Sequence, residues 1–343
     1  MQVFLKAERM YMMLYLLDGE LIGSMKIYRS RVAIVGAGNV GASIAFSLTL
    51  QGVCAEVMLI DRNPEKAYGE VMDLQHSIEY LNRNVHVMAG SYKDCKEADI
   101  VVITASAPFS GAGSRLEMLE STARIVKTIV EPIMDAGFDG HFIVVSNPVD
   151  AMAHYVYQLS GLPKNQVIGT GTALDSARLK QIIAGIMNID PRSVQAYVMG
   201  EHGDSQMVPW SHVRAGGKDF YQILADDVER FKDVDLDDIV HRTIHAGHEV
   251  MKRKNSTQYG IASATTAIIK AVLYDENRMI PVSTLLEGEY GEKDVFCGVP
   301  AILNRTGVKE IGVYNLTTEE LLRFKHSVEV IKTSINRLAA IEI

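Results

Sequence analysis

The chain has 343 residues, of which 48% are hydrophobic and 22% charged, so it is long enough for two domains and typical of a globular enzyme. The formal net charge is −8 and no run of lysine or arginine stands out, so nucleic acid and anionic membranes are not expected partners. The cysteines Cys54, Cys95 and Cys297 lie far apart, without metal-ligand spacing, and their odd number argues against a disulfide framework. A cytoplasmic location is therefore expected.

Residues 1–24 are predicted to be an N-terminal extension outside the folded part. The apolar run at 12–17 is interrupted by Asp18-Gly19-Glu20, so it is too short to span a membrane, and no small-residue cleavage site follows it. The extension is either loosely ordered, with Met25 a plausible start of the folded part, or an arm that embraces a second subunit.

Short apolar runs alternate with helical patterns between about residues 31 and 171. The runs lack the alternation of half-buried strands, which is typical of strands buried on both faces of a parallel sheet. They lie at 32–35, 57–60, 100–103 and 142–145, and the predicted helices between them include 40–51, 64–80 and 115–136. This repetition predicts right-handed crossovers and an α/β, doubly wound parallel sheet.

The second half is predicted to be a mixed α+β domain. Strands are expected at 194–199, 279–286 and 295–303, and helices at 237–254, 259–274 and 317–340. The boundary is placed at Gly169-Thr170-Gly171, where glycines and threonines cluster, so the predicted domains span 25–170 and 171–343.

A G-x-G-x-x-G pattern at 36–41 predicts a dinucleotide site. In a chain with 27 glycines the pattern alone is weak, but here it follows a buried-type strand and opens a predicted helix. Gly36 would make the turn, Gly38 would let a pyrophosphate approach the backbone, and Gly41 would let the helix pack closely. Asp61, 20 residues after Gly41, would accept hydrogen bonds from the ribose hydroxyls and repel a 2′-phosphate, which favours NAD over NADP. The alternative is a glycine-rich turn without a nucleotide.

The segment Gly200-Glu201-His202-Gly203-Asp204-Ser205 places a histidine in an acidic, glycine-rich loop. Histidine changes its charge near neutral pH, so His202 is the candidate proton donor and acceptor. Upstream, Asp175 would orient the imidazole and Arg178 would hold a carboxylate with its two-pronged guanidinium. A single histidine among ten is more often structural, so the hypothesis depends on these neighbours.

Three further polar residues are candidates for the same site. Arg115 follows a glycine-containing loop at 106–114, which predicts a lid that places positive charge beside a carbonyl, or else a solvated residue of a helix. Asn147 ends the last apolar strand of the first half, where parallel sheets bind ligands, or forms a turn before proline. Thr257 is either part of the site or a helix cap.

Together these motifs resemble the L-lactate/L-malate dehydrogenase family from about Met25 to the C-terminus. The resemblance implies a Rossmann-type NAD-binding domain followed by a catalytic domain, reversible NADH-dependent reduction of a 2-oxo acid to the L-2-hydroxy acid, and a homo-oligomer, either a dimer or a tetramer. The motifs that carry it are the loop at 36–41, Asp61, Ser114-Arg115-Leu116, Ser146-Asn147-Pro148-Val149-Asp150, Leu174-Asp175-Ser176-Ala177-Arg178 and Gly200-Glu201-His202-Gly203-Asp204.

The resemblance also implies roles for individual residues. His202 would give its proton to the ketone oxygen, and Asp175 would stabilise the cationic ring. Arg178 would clamp the substrate carboxylate and Arg115 would polarise the carbonyl. The other implied site residues are Asn147 near the carbonyl oxygen, Thr257 beside the substrate, Ile261 behind the nicotinamide ring, and Asn39, Val40, Thr104 and Ala105 beside the cofactor.

One lid position distinguishes substrates within the family. Six residues before the catalytic lid arginine, malate dehydrogenases have arginine and lactate dehydrogenases usually have glutamine, whereas this chain has Phe109. Burying a second substrate carboxylate unpaired against a phenyl ring would cost on the order of several kcal/mol, so malate is disfavoured. The open alternatives are pyruvate, a larger apolar 2-oxo acid such as 2-oxoisocaproate, or a loop shifted by one residue that brings Ser110 forward.

Other functions have weaker support from the sequence. A non-catalytic NAD-binding protein on the same fold would not need an intact proton donor and two arginines. An NAD- and metal-dependent glycoside hydrolase would need a Cys or His placed to hold a metal, and the sequence suggests no such pair. Many bacterial lactate dehydrogenases are activated by fructose 1,6-bisphosphate through a basic residue and a histidine. These two positions look like Lys180 and Gln195, so the charge of the histidine is lost and such activation is not expected. Lys180 is expected to be a solvated helix residue.

Overall fold

The computed structural model describes residues 29–107 and 115–340, and of Arg115 and Leu116 the backbone only. The predicted extension at 1–24 and the lid residues Phe109 and Ser110 lie outside the described residues. The strands are β1 (Arg31–Val35), β2 (Glu56–Ile60), β3 (His86–Ala89), β4 (Ile100–Ile103), β5 (His141–Val144), β6 (Val167–Gly169), β7 (Val194–Gln195), β8 (Arg214–Ala215), β9 (Lys218–Asp219), β10 (Arg278–Glu287), β11 (Lys293–Asn304) and β12 (Gly307–Ile311). The α-helices are α1 (Asn39–Gln51), α2 (Pro64–Ser77), α3 (Arg115–Asp135), α4 (Val149–Ser160), α5 (Ala173–Met187), α6 (Phe220–Asp226), α7 (Val228–Phe231), α8 (Leu236–Lys254), α9 (Tyr259–Leu273) and α10 (Thr318–Ala339).

A nine-stranded sheet with the order β12-β11-β10-β6-β5-β4-β1-β2-β3 forms the centre of the molecule. The strands from β6 to β3 pair in parallel, in the order of a doubly wound Rossmann sheet. Strands β10 to β12 extend this sheet in antiparallel fashion, joined to it where Ser283 pairs with Gly169. The predicted α/β architecture is confirmed, and the second half of the chain adds strands to the sheet of the first.

Helices cover both faces of the sheet, as the uniformly apolar strands require. Strands β2 and β4 are buried along their whole length, so they need apolar partners on both sides. Helices α1, α2 and α9 pack on one face, and α3, α4 and α10 pack on the other. A separate core between α5, α8 and the small sheet β7-β8-β9 supports the second half. Among the described helices, none is long and apolar enough to cross a membrane.

One predicted strand is wrong in its extent. The expected strand at 194–199 pairs as a strand only over Val194–Gln195, and Met199 then forms an isolated bridge with Met207. The reason is competition from two side chains at the start of α5, one just before the helix and one in its first turn. Thr172 donates its hydroxyl to the Val198 carbonyl (2.6 Å), and the Val198 N–H donates to Ser176 Oγ (2.8 Å), so the backbone is satisfied without a neighbouring strand.

The turn between β1 and α1 brings the helix close to the sheet. Gly36 has a φ of +107°, which favours glycine, and its carbonyl accepts a hydrogen bond from Thr104 Oγ1 (2.9 Å) at the end of β4. A Cβ on Gly41 would lie 1.8 Å from this carbonyl oxygen. A Cβ on Gly38 would meet no atom within 4 Å. Gly41 is therefore required by the packing of α1 against the turn, while the space beside Gly38 is open.

This contrast predicts different costs for two alanine substitutions. Gly41→Ala should lower the free energy of unfolding by about 2 to 3 kcal/mol because the new methyl group overlaps backbone. Gly38→Ala, in the same loop but with an extended backbone (φ −82°, ψ −173°), should change it by less than about 0.5 kcal/mol. Urea unfolding of both variants without cofactor measures the difference, and equal destabilisation would contradict the packing argument.

Candidate active site

The predicted cofactor residues meet at the carboxyl edge of the parallel strands. Thr104 and Ala105 follow β4, which neighbours β1, so they face the glycine turn across the point where the strand order reverses. Asn147 is exposed just after β5, and Asn39 is exposed at the start of α1. Val40 is half-buried beside it. The structure thus brings the glycine turn and the ends of β4 and β5 to one edge of the sheet.

Asp61 has a structural role that the sequence did not predict. Its Oδ2 accepts a hydrogen bond from the Ala37 N–H (2.8 Å), and its Oδ1 accepts one from the Asn63 N–H (2.9 Å). The carboxylate therefore braces the glycine turn. Each oxygen retains acceptor capacity, so binding of ribose hydroxyls is compatible with these bonds.

His202 and Arg178 both bind the carboxylate of Asp175. His202 Nδ1 lies 2.5 Å from Asp175 Oδ2, and Arg178 Nη1 lies 2.9 Å from Oδ1. The His202 side chain is 26% exposed, that of Arg178 17%, and that of Asp175 only 2%. The imidazole and guanidinium can therefore reach a ligand, and the carboxylate holds them from behind. Because Nδ1 is occupied, Nε2 is the ring atom left to exchange a proton.

The electrostatics of this cluster favour the charged forms of Asp175 and His202. Burial alone would raise the pKa of Asp175, but the charges and hydrogen bonds of His202 and Arg178 hold that pKa below its usual range. Burial would lower the pKa of His202, but the Asp175 carboxylate, with a smaller contribution from Asp150, raises it. His202 therefore stays protonated to higher pH than an ordinary histidine. The stability gained from its charge is complete below the ordinary imidazole pKa and is lost as the pH rises through the raised one.

Three elements of the fold hold the His202 loop in place. Gly200 exchanges two backbone hydrogen bonds of 2.9 Å with Gly298 of β11. The Glu201 N–H donates to Ser327 Oγ of α10 (2.8 Å), and the His202 N–H donates to Asp150 Oδ2 of α4 (2.9 Å). Every residue from 200 to 202 thus has its backbone N–H bound to a different element, which fixes the imidazole relative to Asp175.

Two residues near the site were missed as functional by the sequence analysis. Asp150 was noted only as part of a motif, and Gly247 of α8 was not singled out. A Cβ on Gly247 would lie 3.1 Å from Arg178 Nη2, so this glycine lets α8 pass close to the guanidinium. A glycine inside an otherwise amphipathic helix was the available signal, since it lowers helix propensity without an apparent benefit.

The remaining candidates are only partly described. Arg115 begins α3, but its side chain, like Phe109, lies outside the described residues. Thr257 and Ile261 are half-buried, just before and within the first turn of α9. Within the described chain no hydrogen bond links either of them to His202 or Arg178. Their roles stay predictions.

Lys180 differs from the expected solvated residue. It is half-buried, its Nζ lies 5.0 Å from the centre of the Tyr197 ring, and burial lowers its pKa. The reason is that α5 turns this position toward the segment after β7, whereas Gln195 is exposed.

Within residues 29–107 and 115–340, no group of three or more His, Cys, Asp or Glu side chains is arranged to hold a metal ion.

Comparison with known proteins identifies the family. Residues 30–169 match the lactate/malate dehydrogenase NAD binding domain, and residues 172–342 match the lactate/malate dehydrogenase alpha/beta C-terminal domain. The chain is 49% identical over 308 residues to L-lactate dehydrogenase 3 of Bacillus anthracis, covering 90% of this chain and 98% of that protein. It is 47% identical over 304 residues to L-lactate dehydrogenase 1 of Bifidobacterium longum, covering 89% and 96%.

Solved structures agree with this assignment. The ligand-bound minor L-lactate dehydrogenase of Enterococcus mundtii superposes with a TM-score of 0.88 at 41% identity, covering 92% of this chain and 99% of that one. A lactate dehydrogenase from a deep-sea metagenome library has the same TM-score at 39% identity, covering 91% and 100%. The open space beside Gly38 at the start of α1 fits the approach of a dinucleotide pyrophosphate. The chain therefore belongs to the lactate/malate dehydrogenase family of oxidoreductases, with NAD as its cofactor.

Proposed function

We propose that this chain is an L-lactate dehydrogenase that reversibly reduces pyruvate to L-lactate, with His202 as proton donor and acceptor. The observation that carries the proposal is the cluster in which buried Asp175 binds both His202 and Arg178. A proton donor and a carboxylate-binding cation are held by one buried group, which suits a small 2-oxo acid. The relatives named L-lactate dehydrogenase support the same function.

The geometry at His202 supports the proposed proton transfer. When bound, NADH supplies the hydride for the carbonyl carbon. Protonated His202 gives its Nε2 proton to the ketone oxygen, while Asp175 continues to accept the hydrogen bond from Nδ1. In the reverse direction, neutral His202 takes the proton of the substrate hydroxyl. The raised pKa of His202 keeps the imidazole ready as a donor near neutral pH.

Arg178 binds the substrate carboxylate in this proposal. Its Nη1 pairs with Asp175, which orients the guanidinium, and its other donors remain for the ligand. Arg115 of the lid and Asn147 after β5 would bind near the carbonyl oxygen. Phe109 and Thr257 would line the side-chain end of the substrate, where an apolar lid excludes a second carboxylate.

The cofactor would lie along the edge that the glycine turn forms. Gly36, Gly38 and Gly41 would form the pyrophosphate loop, with the backbone of α1 at its N-terminus. Asp61 would bind the adenosine ribose. The residues proposed to line the rest of the cofactor site are Asn39, Val40, Thr104, Ala105, Asn147 and Ile261.

A cytoplasmic homo-oligomer, a dimer or a tetramer, completes the proposal. Helix α1 leaves Phe46 and Leu50 about half exposed (47% and 50%), and Tyr259 at the start of α9 is 69% exposed. These three side chains border one groove, which suits coverage by a second subunit. Light scattering after size-exclusion chromatography measures the subunit number.

A panel of substrates tests the proposed function. With NADH, kcat/KM should be highest for pyruvate. For oxaloacetate it should be lower by a factor of at least about 100, because Phe109 cannot pair a second carboxylate. A preference for 2-oxoisocaproate or phenylpyruvate would favour the broader L-2-hydroxy acid dehydrogenase. A preference for oxaloacetate would overturn the role of Phe109, and inactivity on every substrate would favour a non-catalytic NAD-binding protein.

His202→Ala tests the proton donor. The substitution should reduce turnover of pyruvate by about two to four orders of magnitude, since general acid catalysis is lost. NADH binding, measured by its fluorescence, should not change, because His202 lies on a different loop from the glycine turn. Turnover equal to that of the wild type would refute the assigned role.

Arg178→Lys and Gly247→Val test the carboxylate site from two sides. The lysine variant should raise KM for pyruvate by about tenfold or more, because an ammonium cannot form the two-pronged pair.

In Gly247→Val, a branched side chain would displace the Arg178 guanidinium, so KM for pyruvate should also rise while NADH affinity stays constant. Gly185→Val, a helix glycine whose Cβ position meets no atom within 4 Å, is the control for valine in a helix and should leave KM unchanged.

A further inference from the structure

Asp150 is a buried carboxylate to which the proposed proton transfer gives no role. It lies in the first turn of α4 and is 3% exposed. Its Oδ1 accepts a hydrogen bond from Ser283 Oγ of β10 (2.6 Å), and its Oδ2 accepts the backbone N–H of His202 (2.9 Å). No lysine or arginine within the described residues forms an ion pair with it.

These two bonds alone do not require a charge. An asparagine at position 150 would accept from the His202 N–H with its carbonyl and donate to Ser283 Oγ with its amide, at a lower cost of burial. Burying a charge without a paired cation is costly, so its presence needs another reason. The cation whose charge acts on this carboxylate is the imidazolium of His202, which is attracted by Asp150 as well as by Asp175.

We propose that Asp150 is a positioning residue that fixes the backbone of His202 and adds a second negative charge that favours the protonated imidazole. In this arrangement Asp175 holds the ring and Asp150 holds the backbone. The inference rests on the proposed role of His202 as the proton donor.

The charged groups around His202 come from three parts of the fold. Helix α5 contributes Asp175 and Arg178, α4 contributes Asp150, and the loop itself contributes Glu201 and Asp204. The thiol of Cys297 in β11 adds no charge, because burial raises its pKa well above the usual value. Arg178 lowers the pKa of His202, and the two buried carboxylates raise it. Asp150 therefore offsets the lowering of the His202 pKa by Arg178, the cation that is proposed to bind the substrate carboxylate.

The titration of Asp150 is consistent with this role. Burial raises its pKa to about 6, although the hydrogen bonds from Ser283 and His202 and the charge of His202 oppose the shift. Because the folded pKa lies above the usual value of 3.8, ionising Asp150 lowers stability as the pH rises from about 4 to about 6. At neutral pH the protein bears this cost, and the carboxylate is charged in the range where His202 titrates.

Asp150→Asn removes the charge and retains the acceptor for the His202 N–H. The kcat/KM for pyruvate reduction falls with rising pH as His202 deprotonates, and in this variant the fall should occur at a lower pH, by about one unit or less. At pH values where His202 is still protonated, kcat should stay within about twofold of the wild type. Asp139→Asn, an exposed carboxylate in the same half of the chain, is the matched control and should leave the profile unchanged.

A second variant keeps the test decisive if Asp150→Asn does not fold. Ser283→Ala removes one of the two donors and should raise the pKa of Asp150 further, so that its charge is partly lost where His202 titrates. The fall in kcat/KM should then move in the same direction, by less. If the folded Asp150→Asn variant has the wild-type pH dependence, or if Ser283→Ala does when the asparagine variant is unfolded, the inference is wrong.

The outcomes separate this inference from the proposed function. His202→Ala is measured in the same pH series. The wild type should show a fall in kcat/KM with rising pH, and His202→Ala should abolish that fall. If either result is not observed, His202 is not the proton donor, and the proposed function fails with the inference. If that fall is present but Asp150→Asn lowers kcat without moving it, Asp150 acts only through the backbone and the charge proposal alone fails.

Discussion

The site depends on the ion pairs that Asp175 forms inside the protein. A carboxylate that is 2% exposed would normally resist ionisation, yet its pKa lies below the usual range because two cations bind its two oxygens. The same contacts restrict the rotation of His202 and Arg178, whose side chains remain partly exposed. One buried residue thus sets both the charge and the direction of the two groups that would meet the substrate.

Placing this cluster beside the cofactor edge requires the second half of the chain to join the first. The junction is the pairing of Gly169 in β6 with Ser283 in β10. A Cβ on Gly169 would lie 2.7 Å from that of Ser283, so glycine allows the two strands and α4 to come close together. Ser283 in turn binds Asp150, and Gly298 on the next strand binds Gly200. The strand junction therefore also positions the His202 loop.

Much of this arrangement could be predicted from the sequence, because it depends on local patterns. Uniform apolar runs predicted four of the six parallel strands, whereas the short strands β3 and β6 were not predicted, and the glycine turn predicted the loop before α1. The clustering of His202 with Asp175 and Arg178 was proposed from the residue types and was also implied by the family resemblance, although 27 residues separate the histidine from the aspartate. The shortened strand after residue 195, the burial of Lys180, and the contact between Gly247 and Arg178 all depend on tertiary packing, which no local pattern contains.

Asp150 and Asp175 show how the same group acquires opposite properties. Both are buried, but the pKa of Asp175 is lowered whereas that of Asp150 is raised to about 6. The difference is direct contact with cations, because Asp175 binds an imidazole and a guanidinium while Asp150 binds a hydroxyl and a backbone N–H. A carboxylate in contact with the ring stabilises the cation most, but it also fixes the ring's position. A carboxylate bound to the backbone can add to the field at the imidazole without occupying either ring nitrogen, so Nε2 stays free for the substrate.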